Sequence, residues 1–240
     1  MTTQKANIWK RISALLLDIV ILMVISVGIV LLLSLVTGYD AKADELNAFY
    51  DENQARLDVT QEQFDAMSDE EKASVNETAS QYNNMALTLL NLTFMFVSVG
   101  VLCGYLVTDI MFPLIFKNGQ TLGKKIFGVA VMHVEGVRLS FFQLFVRTIL
   151  GKYTIETMLP IFLILLWMFM PVVTLAGFGV LLVAQVAFII VTRGITPIHD
   201  MLAATVTVDM ASQRIFNSVD EKIAYQKKLH EEATQEAEYR

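Results

Sequence analysis

The feature that most constrains this chain is a pair of charges at the start of an apolar segment long enough to cross a bilayer. Arg11 precedes, and Asp18 lies within, an apolar run over residues 12–36. At 100° per residue, both side chains lie on nearly the same face of a helix. A carboxylate inside a transmembrane helix costs about 3 kcal/mol on insertion scales, so it normally faces protein or a wet cavity. The sequence therefore predicts a polar group buried within a membrane protein.

The composition supports this class of protein. The chain is 55% hydrophobic and 18% charged, with a mean hydropathy of +0.53, which is typical of polytopic membrane proteins. No basic patch is interleaved with aromatic residues, so we expect no nucleic-acid binding. The first apolar run is about twice as long as the apolar region of a signal peptide and carries Asp18, so we interpret it as a retained helix.

Two later apolar stretches predict further membrane spans. Residues 85–116 are long enough for one span, whereas residues 155–191 exceed the length of about 20 residues that a single span needs. Pro171 and Gly177 offer a break, so we expect a helical hairpin that divides near residues 170–174. The alternative is one span followed by a buried or interfacial helix.

Charge asymmetry predicts the orientation in the membrane. The loop formed by residues 37–84 carries about a dozen acidic residues, whereas the remaining connections are basic. Since basic residues mark the cytoplasmic side, residues 1–11 and the charged tail, residues 211–240, are expected there, with four spans between them. The basic residues are Lys5, Lys10, Arg11, Lys117, Lys124, Lys125, Arg138, Arg147, Lys152 and Arg193.

The acidic outer loop is expected to be helical. Thr60 with Gln63, and Ser68 with Glu71, fit the capping-box pattern that starts a helix. The second helix is expected to continue into the second span. We interpret the loop as a solvated spacer, and the tail as a loosely attached cytoplasmic helix.

Residues 117–154 form the connection between the second and third spans. Val129–Val134 predicts a strand, residues 135–136 a turn and residues 137–140 the returning strand, so we expect a short cytoplasmic β-hairpin. Phe141–Leu150 predicts an amphipathic helix on the membrane surface. The glycines that precede the strand are spaced four apart, which excludes the P-loop pattern of nucleotide-binding proteins.

Three blocks of sequence resemble the RDD family of bacterial membrane proteins. The first block holds Arg11 and Asp18, and with Asp200 these residues correspond to the arginine and two aspartates that name the family. The resemblance extends from Arg11 to Val208, with Ala204 where the family usually has glycine. The other motif residues are Gly119, Gln120, Thr121, Gly123 and Lys124 in the middle block, and His199 and Thr205 in the block at residues 192–210.

The resemblance implies an all-α, multi-pass protein of the bacterial plasma membrane with about four transmembrane helices. Most family members look like proteins of unassigned function. Some are linked to monovalent cation/proton exchange, and others to membrane complexes in which they are accessory subunits. The bilayer is the implied partner, together with a second copy of the chain or another membrane protein.

Two functions are consistent with the sequence. In the favoured one, the chain is a scaffold or accessory subunit, and Arg11 bridges Asp18 and Asp200 in a structural cluster, because a guanidinium carries five donors in a planar fork. In the alternative, Asp18, with Asp109 or Asp200, binds protons or monovalent cations in an antiporter, since burial raises the pKa of a carboxyl and a cation lowers it.

We predict no enzymatic activity, no metal and no cofactor. His199 precedes Asp200, and His133 lies in the expected hairpin, but neither is accompanied by a nucleophile motif or by the spacing of metal ligands. A histidine beside an aspartate at a helix start usually makes a local hydrogen bond.

Overall fold

The structure, a computed structural model, describes residues 6–167, 169–191 and 197–238. Its contacts divide the chain into two compact units. The first comprises Met1–Val24 with Val101–Arg240, and the second comprises Ile25–Gly100. Arg193, on which the predicted orientation depends in part, lies outside the described residues.

The described elements are mostly helical. Two π-helical segments interrupt the α-helices. The order along the chain is α1 (Ile8–Thr37), α2 (Tyr39–Leu57), α3 (Gln61–Ala66), α4 (Asp69–Tyr105), the first π segment (Leu106–Met111), α5 (Phe112–Phe116), α6 (Leu122–Ile126), β1 (Val129–His133), α7 (Phe141–Phe145), the second π segment (Val146–Met158), α8 (Leu159–Trp167), α9 (Pro171–Val191), α10 (Ile198–Leu202), β2 (Thr205–Asp209) and α11 (Val219–Glu238).

The all-α membrane fold is confirmed. Within the part of the chain that the structure describes, three helices are long and apolar enough to cross a membrane: Ile8–Thr37, Asp69–Phe116 and Phe141–Trp167. The predicted break is present, because α8 ends at Trp167 and α9 begins at Pro171. The described apolar part of α9, Pro171–Ala184, is shorter, so the fourth span stays a prediction.

The predicted amphipathic surface helix is not a separate element. The structure has one continuous helix over Phe141–Trp167, which includes the second π segment. The helix continues through Gly151, where His199 packs so closely that a Cβ would lie 2.4 Å from the His199 Cβ. Arg147 and Lys152 are buried rather than facing the membrane surface.

The predicted β-hairpin is also wrong, although its first strand is present. β1 pairs antiparallel with β2, from Val129 opposite Asp209 to His133 opposite Thr205. The expected turn forms, since the His133 amide donates to the Val137 carbonyl at 2.9 Å, but Val137 then bridges to Phe216. Four of the five β1 residues are buried, and β2 supplies the paired partner. The sheet thus joins the segments that follow the second and the last apolar stretches.

The second unit contains the predicted outer loop and is helical as expected. Thr60 with Gln63 forms the capping box of α3, and the Ser68 hydroxyl accepts from the Glu71 amide at the start of α4. The helix α4 continues without a break into the predicted second span. Gly100 lies against the Ser26 carbonyl of α1, where a Cβ would come within 2.9 Å of the oxygen.

The charged tail contacts the turn after β1. The Lys222 ammonium donates to the Glu135 carbonyl, and the Phe216 and Tyr225 rings lie 5.5 Å apart, with the Arg214 guanidinium 4.4 Å from the Tyr225 ring. These contacts dock the start of α11 within the first unit. The tail is therefore attached at its base, whereas the sequence predicts a loosely attached helix.

Candidate functional site: a buried charge cluster beside a cavity

Asp18 is bound by the middle motif block. It is 7% exposed, and it accepts hydrogen bonds from the Thr121 hydroxyl and from the Gly123 amide at 2.8 Å. The Lys124 ammonium lies 3.5 Å from the same carboxylate. Thr121 is also the N-cap of α6, because its hydroxyl accepts from the Lys124 amide. The first two sequence blocks thus meet at one buried carboxylate.

Gly123 permits this contact because it lacks a side chain. A Cβ at Gly123 would lie 2.8 Å from Asp18 Oδ1 and closer still to the Ala14 carbonyl. The backbone of α6 can approach α1 closely enough to donate to Asp18 only if nothing larger than hydrogen occupies this position.

Asp109 is bound by the third long helix. It lies in the first π segment, is 3% exposed, and pairs with the Lys152 ammonium in a direct hydrogen bond. The Arg147 Nη1 lies 3.8 Å from the same carboxylate, and the Thr108 hydroxyl donates to it at 3.0 Å. Such π segments occur often at functional sites.

Asp200 shares Arg147 with Asp109. The Arg147 Nε donates to Asp200 Oδ1 at 2.8 Å, and the Thr205 hydroxyl donates to the same oxygen at 2.8 Å. Burial alone would raise the pKa of Asp200, but the adjacent Arg147 guanidinium outweighs it and holds that pKa well below its usual range. Asp200 is therefore an ionised carboxylate at neutral pH.

His199 is held by Glu156 of the second π segment. Its ring Nδ1 lies 2.8 Å from Glu156 Oε2, and its backbone amide donates to Glu156 Oε1 at 3.1 Å. Burial lowers the pKa of His199, and the neighbouring Arg147 lowers it further, although Glu156 and Asp200 act in the opposite direction. The imidazole is consequently neutral at pH 7, and the predicted local hydrogen bond is made to Glu156.

Lys124 lies outside the long helices, in α6, and its pKa is lowered. Burial is the main cause, and repulsion from Lys152 and Arg147 adds to it, so that the pKa of Lys124 falls to about 8. Asp109 and Asp18 oppose this fall without cancelling it. Lys124 therefore titrates much closer to neutral pH than an exposed lysine does.

A cavity of about 330 Å³ lies next to these groups. Four cationic side chains and two carboxylates line it, together with His199 and apolar residues of α1. Arg11 is half-buried at the amino-terminal end of α1 and is one of the four cations. The charged lining residues are Arg11, Lys124, Arg147, Lys152, Glu156 and Asp200.

The remaining motif residues determine the backbone conformation of the loops next to the site. Gly119 has φ +62°, and a Cβ there would collide with the Val131 carbonyl. The Gln120 amide donates to the Val129 carbonyl at 2.9 Å. Ala204 has φ +51°, a left-handed conformation that glycine adopts at less cost, which explains why glycine suits this position. These residues shape the loops that carry Thr121 and Thr205.

The structure adds three charged residues that the sequence did not assign to the site: Arg147, Lys152 and Glu156. Arg147 contacts Asp200, so a cluster described by Arg11, Asp18 and Asp200 alone is incomplete. In an α-helix, Arg147 and Lys152 would point about 140° apart, whereas a π-helix bonds residues five apart and aligns them.

Among residues 6–167, 169–191 and 197–238, no group of three or more His, Cys, Asp or Glu is arranged to hold a metal ion.

Long apolar helices around a buried charge cluster define this chain as a multi-pass integral membrane protein. The family model described as the RDD family matches residues 5–204, and the chain belongs to this family. Comparison with the curated proteins and with the solved structures finds no significant match.

Proposed function

We propose that this chain is a non-enzymatic scaffold or accessory subunit of a membrane complex, and that its charge cluster has a structural role. One observation carries the proposal: Asp18, Asp109 and Asp200 each have a lysine or arginine within 3.5 Å, together with hydroxyl or amide donors. A buried carboxylate that already has a lysine or arginine beside it needs no transported cation to balance its charge.

The cluster also explains why its parts are far apart in the sequence. Asp18 attaches α1 to α6, Arg147 attaches the second π segment to α10, and Asp109 attaches the first π segment to the second. Buried ion pairs of this kind favour one arrangement of helices over others, because a mispaired arrangement leaves a charge buried and alone. A rigid helical frame suits a subunit that presents its outer surface to a partner, either another membrane protein or a second copy.

A second candidate, monovalent cation/proton exchange, is favoured by Lys124. With a pKa of about 8, this lysine can lose its proton in the physiological range, and the loss would remove the cationic partner of Asp18. A sodium or potassium ion could then take the place of the ammonium. In this mechanism Asp18 is the carrier and Lys124 is its competing cation.

Reconstitution into proteoliposomes separates the two candidates. A trapped pH-sensitive dye reports dequenching when Na⁺, K⁺ or Li⁺ is added to vesicles that carry a pH gradient. The scaffold proposal predicts the same trace for the wild type, for Asp18→Asn and for protein-free vesicles. Asp209→Asn is the matched control, since Asp209 is a surface partner of Lys10. A cation-dependent signal that Asp18→Asn abolishes and Asp209→Asn keeps would overturn the scaffold proposal and establish exchange.

The partner is tested by chemical crosslinking in native membranes, followed by purification and mass measurement of the crosslinked species. The proposal predicts a stoichiometric complex with a distinct membrane protein or a homodimer. A chain that remains monomeric under crosslinking at its native abundance, with no transport activity, would contradict it.

A further inference from the structure

His199 lies where α10 is attached to the second π segment. Its backbone amide donates to Glu156 Oε1 at 3.1 Å, and its ring Nδ1 lies 2.8 Å from Glu156 Oε2. The next residue, Asp200, accepts from Arg147 Nε at 2.8 Å. The His199 side chain also packs so closely on Gly151 that any larger residue there would collide with it. Two consecutive residues of α10 are therefore held by side chains of the second π segment, and one of the two is an imidazole.

The two ring nitrogens of His199 face different groups. Nδ1 lies beside the Glu156 carboxylate, which can only accept, so we assign the proton of the neutral ring to Nδ1. Nε2 then carries a lone pair and lies 3.7 Å from Asp200 Oδ1. That oxygen already accepts from Arg147 and Thr205. A second proton on the ring would have to compete for an acceptor that is already in use.

The charge cluster around His199 is balanced while the ring is neutral. Its four cationic side chains are matched by four carboxylates. Protonation of His199 adds a fifth positive charge to a set that is already matched, and an uncompensated buried charge is strongly unfavourable. The cations are Arg11, Lys124, Arg147 and Lys152, and the carboxylates are Asp18, Asp109, Asp200 and Glu156.

The groups that face His199 act on its protonation in both directions. Burial is the main cause that lowers the pKa of His199, the cations of the second π segment lower it further, and the neighbouring carboxylates oppose the fall without cancelling it. A histidine in water has a pKa of about 6.5. Acid therefore favours an arrangement that exposes the ring. The facing groups are Arg147, Lys152 and Glu156 of the second π segment, Asp200 of α10 itself, and, on the wall of the shared cavity, Lys124 of α6 and Arg11 of α1.

We propose that His199 is a pH switch in this junction: uptake of one proton at Nε2 under mildly acidic conditions releases α10 from the second π segment. The proton reaches the ring through the cavity of about 330 Å³, which His199 lines and which is large enough to hold water. The protonated ring is more stable in water than among the cations of the cluster, so α10 separates and the pair of Arg147 with Asp200 opens. The switch rests on the proposed structural role of the cluster and adds a condition under which the junction opens.

The test is hydrogen–deuterium exchange of the full-length protein in detergent at about pH 7.5 and about pH 5.5, with the rates corrected for the intrinsic effect of pH. The reporters are the hydrogen-bonded backbone amides of α10. The variant His199→Gln keeps a side-chain amide that can donate to Glu156 but cannot become a cation. The chain has three histidines, so His230→Gln in the exposed tail and His133→Gln in β1 are the matched controls.

The proposal predicts that the protection of these amides falls by about tenfold from the higher to the lower pH in the wild type, because pH 5.5 is about one unit below the pKa of an exposed histidine. Both controls should show the same fall, and His199→Gln a fall of less than about twofold. If His199→Gln does not fold, NMR of the imidazoles gives a second measure, with His133→Gln and His230→Gln identifying the His199 resonance by elimination. That resonance should still report a neutral ring at about pH 6.

Three results would overturn the proposal. Strong protection of α10 at both pH values would reject the switch and leave the structural junction intact. A tenfold fall that persists in His199→Gln would assign the pH dependence to another group. Weak protection of α10 at both pH values would reject the junction itself, and the switch with it.

Discussion

The contact between Gly123 and Asp18 gives the sharpest test of how the first two motif blocks are joined. In Gly123→Ala, the new Cβ would lie 2.8 Å from Asp18 Oδ1 and closer to the Ala14 carbonyl. Neither atom is the end of a flexible side chain that can move aside without cost, because one is backbone and the other accepts hydrogen bonds from Thr121 and Gly123. The substitution therefore forces α6 away from α1.

Two costs follow from this displacement. Overpacking a close contact typically costs about 1–3 kcal/mol. Weakening a hydrogen bond to a buried carboxylate costs about 1.5–3 kcal/mol. Their sum predicts that the free energy of unfolding falls by about 3 kcal/mol or more, which for a chain of this size corresponds to a fall of about 6 °C or more in the unfolding midpoint.

The assay is thermal unfolding of the purified protein in detergent, followed by intrinsic fluorescence. Gly179→Ala is the matched control, because a Cβ at Gly179 in α9 meets nothing within 4 Å. The control should stay within about 1 kcal/mol of the wild type. If Gly123→Ala also unfolds within 0.5 kcal/mol of the wild type (about the size of a neutral surface change), the close contact between α6 and α1 is not a feature of the folded protein.

Three further predictions concern the charge cluster and the loop that carries Thr205. Ala204→Gly should raise the free energy of unfolding by about 1 kcal/mol, because it relieves a left-handed conformation at φ +51°; a lower midpoint in thermal unfolding would contradict this. Asp109→Asn should lower it by about 3 kcal/mol in chemical denaturation, since Lys152 and Arg147 stay buried without their shared carboxylate, and a loss below 1 kcal/mol would be inconsistent with the pairing. The pKa of Lys124 is lowered to about 8 in the folded chain, whereas a lysine in the unfolded chain has a pKa of about 10.4. Between these pH values the unfolded chain binds one more proton than the folded chain. The free energy of unfolding should therefore rise as the pH increases from about 8 to about 10.4. Unfolding midpoints measured against pH should show this rise in the wild type but not in Lys124→Met.

The burial of Asp18 could be predicted from the sequence because lipid does not tolerate an uncompensated carboxylate. The helices of the outer loop followed from local capping patterns at Thr60 and Ser68, which depend on neighbouring residues only. The break before Pro171 was predictable because it also depends on neighbouring residues only. In each case the decisive interaction lies within one helix or between the chain and its solvent.

The pairing of β1 with β2 could not be predicted in this way. Pairing of β1 with residues 137–140 would need only a short turn, whereas its actual partner, β2, follows more than 70 residues later, after two long helices. The sequence contains no signal that ranks a distant partner above a near one. The same holds for Arg147, whose partner Asp200 lies 53 positions away and whose alignment with Lys152 depends on π-helical geometry.

The central claim is that the cluster is a compensated structural junction, and a double-mutant cycle on Arg147 and Asp200 tests it most directly. The free energy of unfolding is measured in detergent for Arg147→Gln, Asp200→Asn and the double variant. We expect each single variant to lose about 3 kcal/mol, because it leaves the other charge buried, and the double variant to recover about 2 kcal/mol relative to the sum of the two losses. Strictly additive losses would show that the two residues are not paired in the folded protein and would contradict the account.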